Sequence, residues 1–459
     1  MTIPPLAGGT AGPDALRPLL AVVLDALRAG AVARGGPLPP GGPALLTRAV
    51  RETVTPVVPA EGHGAAEALR TLVEAFAYGA ADPADPRCAA HLHTPPLALA
   101  VAADLAASAL NPSLDSWDQA PAASALEAEV TRALAAEVYP AAPRPDALVT
   151  TGGTEANQLA LLLARERHGT VQVVCGAHTH HSVRRSAWLL GLPAPVTVPA
   201  RAGTTDPAAL DDALTALHGR PVLVTATAGT TDTGHIDPLP GIAALCERHG
   251  AELHIDAAYG GPLLFSPRRR ELLRGLDRAH SVTLDLHKLG WQPIAAGILA
   301  VPDHTLLAPL SHTADYLNPD DDTEAGLPDL LSRSLRTTRR PDILKIAVTL
   351  RALGRNGLAD LVDRTCDAAQ DLADLVEKTP ALELHQRPVL STVLLRPRGA
   401  SDDTVAAVRR GLLHDGRAVL GRARADGRLW LKATLLNPHL TPDDLDTLIA
   451  LVAEGSIPR

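Results

Sequence analysis

The stretch SVTLDLHK, residues 281–288, has the composition of a buried β-strand that ends in an aspartate, a histidine and a lysine. Lysine is rare in this chain, because only four of its 42 Lys and Arg residues are lysine. An amine can lose its proton and attack a carbonyl, whereas a guanidinium stays charged. Lys288 at the mouth of a buried strand therefore indicates covalent chemistry, with a surface residue of no special role as the alternative.

Further runs of β-forming residues surround this strand and alternate with stretches of helical pattern. The predicted strands are, in chain order, 147–151, 171–175, 221–226, 252–257, 281–286 and 297–301. Strands that alternate with helices predict an α/β fold with a mostly parallel central sheet, covered by helices on both faces. Ligands bind such sheets at the carboxyl ends of the strands.

The sequence predicts three segments. Residues 1–100 combine helical stretches with Pro- and Gly-rich joints and hold too little apolar surface for a core of their own. We expect them to pack on a partner subunit or on the main domain, as a helical dimerisation segment. Residues 101–345 carry the alternation of strands and helices and form the large α/β domain, and residues 346–459 have the pattern of a smaller C-terminal α+β domain.

Composition narrows the possible partners and location. A net charge of -9 repels phosphate backbones and an aromatic fraction of 2% leaves few stacking platforms, so nucleic acid is not expected. The four cysteines lack CxxC spacing, which argues against a zinc or disulfide framework and favours a reducing cytosol. The N-terminal residues do not have the pattern of a signal peptide, and no apolar stretch is long enough to span a bilayer. A cytoplasmic protein without a membrane partner is predicted.

The motif TGGTEAN, residues 151–157, follows the first predicted strand and opens a helix. Glycines let the backbone approach an anion, and a helix N-terminus presents free N–H groups with a favourable dipole. A phosphate would lie against Gly153 and the Thr154 hydroxyl. Taken alone, the motif is equally compatible with an N-capped turn that binds no ligand.

Two further strand ends carry ring-binding chemistry. The motif HIDAA, residues 254–258, ends a strand in Asp256, whose carboxylate would hold a ring nitrogen protonated beside the small Ala258. A cap for the following turn is the alternative. In AHTHHS, residues 177–182, His180 suits ring stacking, acid–base work or a polar core position. His178 shares its face of an extended segment, but no acidic or Cys ligand lies nearby in sequence, so no metal is predicted.

Pyridoxal phosphate requires four kinds of group, and the sequence offers all four along one sheet. In chain order they are a glycine turn for the phosphate, a residue that stacks on the ring, a carboxylate for the ring nitrogen and a lysine that forms an imine. With these motifs the sequence resembles the pyridoxal-phosphate-dependent group II amino acid decarboxylases, which have the aspartate aminotransferase-type fold (fold type I). The resemblance extends from about residue 91 to residue 438. It includes LNPSLDSWDQAPAASALE (110–127), DLHKLGW (285–291) and TTRR (337–340). Within the family it is closest to the diaminobutyrate and siderophore-pathway diamino acid decarboxylases.

The resemblance implies a role for each motif residue. Lys288 is similar to the lysine that forms an imine with the cofactor, Asp256 to the partner of the ring nitrogen, and His180 to the imidazole stacked on the ring. These three are the expected catalytic residues. The other expected cofactor contacts are Gly153, Thr154, Thr231, Ala258, Asp285 and His287. Asp237 matches a further acidic position whose role stays open.

The implied reaction is decarboxylation of an L-amino acid to the amine and carbon dioxide by a homodimer. A diamino acid of the 2,4-diaminobutyrate, ornithine or lysine type is the expected substrate. Better-known relatives protonate the α-carbon with a tyrosine on a mobile loop, but the corresponding residues 317–336 contain no tyrosine. Protonation by His180, His312 or water is one outcome. Oxygen-consuming conversion to an aldehyde, and an aminotransferase or eliminase on the same fold, are the alternatives.

Three residues are expected to contact the substrate: His93, Asp115 and Lys432. Asp115 would receive the distal ammonium of a diamino acid, and the alternative is a cap at the entry of the following helix. Lys432 stands where relatives usually have an arginine near the substrate carboxylate. Lysine binds a carboxylate as a point charge, without the bidentate fork of arginine.

Overall fold

The computed structural model describes residues 3–455, which form two compact units. The large unit comprises Pro96–Cys366 and Pro388–Leu390, and the small unit comprises residues 3–95, 367–387 and 391–455. None of the helices of residues 3–455 has the length and apolar character needed to cross a membrane.

The α-helices of this part of the chain are α1 (Gly12–Arg34), α2 (Gly42–Val54), α3 (Ala65–Gly79), α4 (Ala98–Leu110), α5 (Pro121–Val138), α6 (Gly153–His168), α7 (His181–Leu189), α8 (Pro207–Ala216), α9 (Leu239–His249), α10 (Asp320–Glu324), α11 (Ile343–Lys378), α12 (Asp402–His414) and α13 (Pro442–Gly455). The strands are β1 (Cys88–Ala89), β2 (Asp146–Thr150), β3 (Gln172–Gly176), β4 (Val196–Val198), β5 (Ala200–Arg201), β6 (Thr204–Thr205), β7 (Val222–Thr227), β8 (Glu252–Ala257), β9 (Ser281–Asp285), β10 (Gly297–Val301), β11 (Leu382–Leu384), β12 (Thr392–Pro397), β13 (Val419–Ala425) and β14 (Arg428–Thr434). The path of α11 is interrupted at Gly354, where φ is 60°.

The central sheet of the large unit has the strand order β2-β10-β9-β8-β7-β3-β4. Strands β9, β8, β7, β3 and β4 pair in parallel, whereas β10 is antiparallel to both β2 and β9. This order confirms the predicted α/β fold with a mostly parallel sheet. Its parallel strands run in register so that Asp256 lies opposite Thr227 on one side and Thr283 on the other. The strand ends that carry the sequence motifs therefore meet at one edge of the sheet.

The core of the large unit is built around strands that are buried along their whole length. Every residue of β7, β9 and β10 is buried, as expected for strands covered on both faces. Helix α6 covers one face, where Leu159 and Leu163 pack with Leu148 and Leu299 of the sheet. Each such leucine contributes about 1.5–3 kcal/mol through burial. This packing fixes the N-terminus of α6 against the strand ends.

The small unit contains a five-stranded sheet with the order β1-β13-β14-β12-β11. Strand β1 pairs with β13 in parallel, and the other pairs are antiparallel. Apolar residues of α11, α12 and α13 cover this sheet, among them Leu372, Val405 and Leu448. Because β1 comes from residues 88–89, the pairing joins the N-terminal segment to the C-terminal residues in one unit. The predicted division at about residues 100 and 345 stays a prediction. The compact units differ from it because they place residues 3–95 together with the C-terminal residues.

Candidate active site

The glycine motif lies where β2 ends and α6 begins, and it packs closely against the neighbouring strand ends. A Cβ atom on Gly152 would lie 2.7 Å from His287 Cε1, and one on Gly153 would lie 2.9 Å from Ala258 Cβ. Gly152 also has φ +155°, which side chains rarely adopt. The two glycines thus leave a cradle of backbone at a helix N-terminus, which suits an anion. Thr154 lies exposed in the first turn of α6.

Asp285, the last residue of β9, organises the residues that follow it. Its Oδ2 accepts a hydrogen bond from the Gly153 N–H (3.1 Å) and lies 3.6 Å from Lys288 Nζ. Its Oδ1 lies 2.9 Å from His287 Nδ1 and 3.3 Å from the His287 backbone nitrogen. One buried carboxylate therefore connects the glycine cradle, the histidine and the lysine. Expected only as a cofactor contact, Asp285 also positions the residues around it.

Asp256 stands at the carboxyl end of β8 and is 6% exposed. Its Oδ2 accepts from Asn157 Nδ2 (2.7 Å) and its Oδ1 from the Ala258 N–H (3.1 Å). Both donors are neutral, so they orient the carboxylate without cancelling its charge. A buried, oriented carboxylate of this kind suits the protonated nitrogen of a heteroaromatic ring. Ala258 is also buried, and its side chain is only a methyl group.

His180 caps the N-terminus of α7, and its Nδ1 lies 2.8 Å from Ser182 Oγ. Burial lowers the pKa of the His180 imidazole, and the charge of Asp256 opposes this shift. The neighbouring charges of His181 and Lys288 lower this pKa further. The charges of Asp256 and Lys288 both act on His180, so the three residues lie near one another in the large unit.

Asp237 has a structural role that its sequence position did not reveal. Its two carboxylate oxygens accept from the backbone N–H groups of Thr205 (2.7 Å) and Thr227 (2.8 Å). His178 Nε2 lies 3.1 Å from Asp237 Oδ1. Asp237 thus anchors the segment that leads from β3 to His180. Thr231, one of the expected cofactor contacts, lies exposed on the loop after β7.

Asp115 lies buried in the turn before α5 and accepts from two local donors, Ser113 Oγ (2.8 Å) and Gln119 Nε2 (2.7 Å). These contacts are those of a turn cap, and both donors are neutral. The other two expected substrate residues belong to the small unit. Lys432 is a buried residue of β14, where Gly421 of the paired strand leaves room for its side chain. His93 lies between β1 and α4.

The loop of residues 317–336 contains helix α10 and a short turn at Leu331–Arg333. Asp320, Asp321 and Asp322 form the exposed first turn of α10. Near the end of the loop, the Arg333 guanidinium donates two hydrogen bonds to the Asp146 carboxylate, from Nη1 to Oδ2 at 2.6 Å and from Nη2 to Oδ1 at 3.1 Å. Tyr316, just before the loop, is 81% exposed.

Sequence reasoning did not identify the polar residues behind Asp256. His254 on β8 is fully buried, with Nε2 2.9 Å from Asn157 Oδ1 and Nδ1 2.8 Å from Ser281 Oγ. Thr283 Oγ1 donates to the same Asn157 oxygen at 2.9 Å. The signal for two of them was present in the motifs, since TGGTEAN ends in Asn157 and HIDAA begins with His254.

The buried His254 predicts a pH-dependent stability. Burial lowers its pKa from 6.5 to about 4. Between pH 6.5 and about pH 4 the unfolded chain binds a proton at His254 that the folded chain excludes. The contribution of this residue to the free energy of unfolding is therefore fully present above the unfolded pKa and is lost as the pH falls through this window. Lowering the pH from 8 to 5 should cost about 2 kcal/mol at this residue.

Thermal unfolding midpoints of the apoenzyme at pH 8 and pH 5 measure this effect. We expect the midpoint of His254→Gln to fall by a few degrees less than that of the wild type between these conditions. His439→Gln changes an exposed histidine and should fall as much as the wild type. Equal falls in wild type and His254→Gln would show that this histidine does not contribute.

Comparisons with known proteins agree with this geometry. The family model described as "Pyridoxal-dependent decarboxylase conserved domain" matches residues 54–397. The L-2,4-diaminobutyrate decarboxylase of Rhizobium meliloti (strain 1021) is 42% identical over 415 residues, which cover 86% of this chain and 83% of that protein. An enzyme of the same name from Acinetobacter baumannii is 32% identical over 429 residues, which cover 85% of this chain and 84% of that protein.

A solved structure has the same fold over nearly the whole chain. It is the glutamate decarboxylase domain of diaminobutyrate-pyruvate transaminase and L-2,4-diaminobutyrate decarboxylase from Vibrio parahaemolyticus. The two chains are 32% identical and superpose with a TM-score of 0.87, covering 98% of this chain and 97% of that chain. The predicted fold type I is therefore confirmed.

The residues of the large unit fit pyridoxal phosphate. The Gly152–Gly153 cradle has no room for a Cβ atom and offers a helix N-terminus to the phosphate. Asp256 is a buried carboxylate, the kind of group that pairs with a protonated ring nitrogen, and Lys288 carries an amine, the group that forms an imine with an aldehyde. Pyridoxal phosphate is the cofactor and the chain is a lyase, as predicted. This chain belongs to the family of pyridoxal-dependent decarboxylases.

Proposed function

We propose that this enzyme decarboxylates an L-diamino acid, with L-2,4-diaminobutyrate as the first candidate, to the corresponding diamine and carbon dioxide. The convergence of Lys288, Asp256 and His180 in the large unit carries the proposal. The substrate class is supported by the two relatives named L-2,4-diaminobutyrate decarboxylases, which align over more than four fifths of this chain. Because these relatives are named decarboxylases, the aldehyde-forming and aminotransferase alternatives are not favoured.

Each site residue has a distinct task in this reaction. When bound, pyridoxal phosphate supplies an electron sink for the pair that stays on the α-carbon as carbon dioxide leaves. Lys288 Nζ provides the point of attachment, and Asp285, 3.6 Å away, orients the amine. Asp256 keeps the proton on the ring nitrogen through a charge-assisted hydrogen bond. The Gly153 turn and His287 hold the phosphate, with Thr154 and Thr231 as further proposed contacts.

Protonation of the α-carbon needs a donor other than a loop tyrosine, since residues 317–336 contain none. Burial lowers the pKa of His180, so most of its imidazole is neutral near pH 7. His312 lies before the loop and is exposed. We therefore propose that a water molecule held by His180 donates the proton to the α-carbon.

For the substrate, we propose that Asp115 receives the distal ammonium. Within the small unit, Lys432 and His93 stay predicted substrate contacts. Two neutral donors hold the Asp115 carboxylate, so its negative charge is left to act on a cation. Lys432 is a cation buried on a strand, and it has the charge that a carboxylate requires.

Asp115→Asn tests the substrate assignment. The amide keeps the shape of the turn and removes the charge, so kcat/KM for L-2,4-diaminobutyrate should fall about 10- to 100-fold, the worth of a charge-assisted hydrogen bond. L-2-Aminobutyrate lacks the distal ammonium, so its much slower turnover should change little. Initial rates of carbon dioxide release on both substrates, and on ornithine and lysine, measure the difference. Equal losses on charged and uncharged substrates would assign Asp115 to the turn alone.

We also propose a homodimer in the cytoplasm. The N-terminal helices expose large apolar side chains, with Leu24 of α1 65% exposed, Val32 76% and Phe76 of α3 77% exposed. Apolar surface of this kind on a soluble protein marks an interface. Cys88, Cys175, Cys246 and Cys366 are free thiols, which suits a reducing compartment. Sedimentation at decreasing concentration measures the dimer, and a monomer with full activity at high dilution would contradict it.

A further inference from the structure

The side-chain amide of Asn157 can be oriented in only one way. One of its N–H groups donates to Asp256 Oδ2 at 2.7 Å, and the other donates to Ser182 Oγ at 3.0 Å. An ionised carboxylate only accepts hydrogen bonds, so the nitrogen of the amide must face Asp256. The amide oxygen therefore faces the opposite side, and Asn157, which is 1% exposed, has no water to relax this choice.

The contacts of the Asn157 amide oxygen agree with this orientation. The Asn157 oxygen accepts from Thr283 Oγ1 and from His254 Nε2, both at 2.9 Å. His254 must then carry its proton on Nε2, and its Nδ1 accepts from Ser281 Oγ at 2.8 Å. These residues are all buried. Every donor thus meets an acceptor, as buried polar networks require.

On its nitrogen side, the Asn157 amide is connected to His180 through the hydroxyl of Ser182. Since Ser182 Oγ accepts a hydrogen bond from Asn157, its own proton is available to His180 Nδ1 at 2.8 Å. The backbone N–H of Ser182 is directed at the same ring nitrogen, 3.4 Å away. Two donors therefore face His180 Nδ1, which must be the acceptor. The remaining proton of the neutral ring then belongs to Nε2.

We propose that Asn157 and Ser182 are positioning residues that hold His180 in the tautomer with its proton on Nε2 and connect its orientation to that of Asp256. One amide thus coordinates the two groups expected on the cofactor ring, the stacked imidazole and the ring-nitrogen carboxylate. In this tautomer His180 offers a hydrogen-bond donor, not an acceptor, to a ligand or a water. Its use in holding the water of α-carbon protonation rests on the function proposed above, whereas the tautomer itself does not.

Imidazole 15N NMR spectra of the enzyme, recorded without substrate, test this proposal directly. The signals of His180 are assigned by their loss in His180→Gln. We expect the wild type to show an unprotonated Nδ1 and a protonated Nε2, both without cofactor and with pyridoxal phosphate bound. In Ser182→Ala the hydroxyl donor is lost, so the two nitrogen shifts should move towards each other as the tautomers mix.

Matched variants separate positioning from a general packing effect. Ser186→Ala removes a buried hydroxyl one turn further along α7 and should leave the His180 signals unchanged. Asn157→Leu removes both donors, so it should mix the tautomers and raise the dissociation constant of pyridoxal phosphate about tenfold, the worth of one buried hydrogen bond to a charged group. A protonated Nδ1 in the wild type, or unchanged shifts in Ser182→Ala, would overturn the proposal. A substrate other than a diamino acid would leave these spectra unaffected, so the two proposals fail separately.

Discussion

Lys288→Ala should lower kcat for decarboxylation by at least about 10³-fold, because it removes the amine that we propose as the point of cofactor attachment. Lys288 Nζ lies beside the buried Asp285 carboxylate at the carboxyl edge of the central sheet. Alanine cannot replace an amine there. Steady-state release of carbon dioxide measures the loss.

Lys288→Arg distinguishes charge from nucleophilicity. Arginine keeps the positive charge near Asp285 but cannot lose a proton to attack a carbonyl, so this variant should be as inactive as Lys288→Ala. Lys378→Ala is the matched control, since it removes an exposed lysine at the end of α11. Activity of Lys288→Arg within tenfold of the wild type would show that Lys288 contributes only its charge.

Asp256→Asn should lower kcat about 10²- to 10⁴-fold, the range for loss of a positioned ionisable group. The amide has nearly the same shape but no charge, so it no longer stabilises a proton on the ring nitrogen. It also places a donor against one of the two N–H groups that now donate to Asp256, either Asn157 Nδ2 (2.7 Å) or the Ala258 N–H (3.1 Å). Substrate binding through the distal ammonium is untouched, so the loss should appear in kcat more than in KM.

The visible spectrum of the bound cofactor provides a second readout for Asp256→Asn. We expect the pH dependence of this spectrum to change in the variant, because the protonation of the ring nitrogen changes. Asp446→Asn, which neutralises an exposed aspartate on α13, should leave both the spectrum and kcat as in the wild type. A normal kcat in Asp256→Asn would remove the ring-nitrogen role from this residue.

Local patterns predicted the fold of the large unit well. The strands predicted at 281–286 and 297–301 are present as β9 and β10, and both are buried along their whole length because the structure covers them on both faces. The antiparallel direction of β10 was not predicted, because a five-residue apolar run carries no information on its direction. The grouping of β1 with β13 depends on residues more than 300 positions apart, and such pairing leaves no local signal.

Residue types provided the candidates for the site, whereas the contacts among them were not predicted. The rarity of lysine singled out Lys288 as a candidate, and a carboxylate at a strand end singled out Asp256. Asn157 contacts Asp256 across 99 positions, so its role follows only from the sheet order that brings α6 beside β8. His178 seemed paired with His180 along an extended segment, but it contacts Asp237 instead.

The product balance of the wild-type enzyme on L-2,4-diaminobutyrate is the most direct measurement of the proposed function. Carbon dioxide, propane-1,3-diamine, hydrogen peroxide and aldehyde are to be quantified together, with and without oxygen and with and without an added keto acid. We expect one carbon dioxide and one diamine for each substrate consumed, independent of oxygen and keto acid. Consumption that needs a keto acid, or that yields aldehyde and peroxide in place of the diamine, would contradict the account.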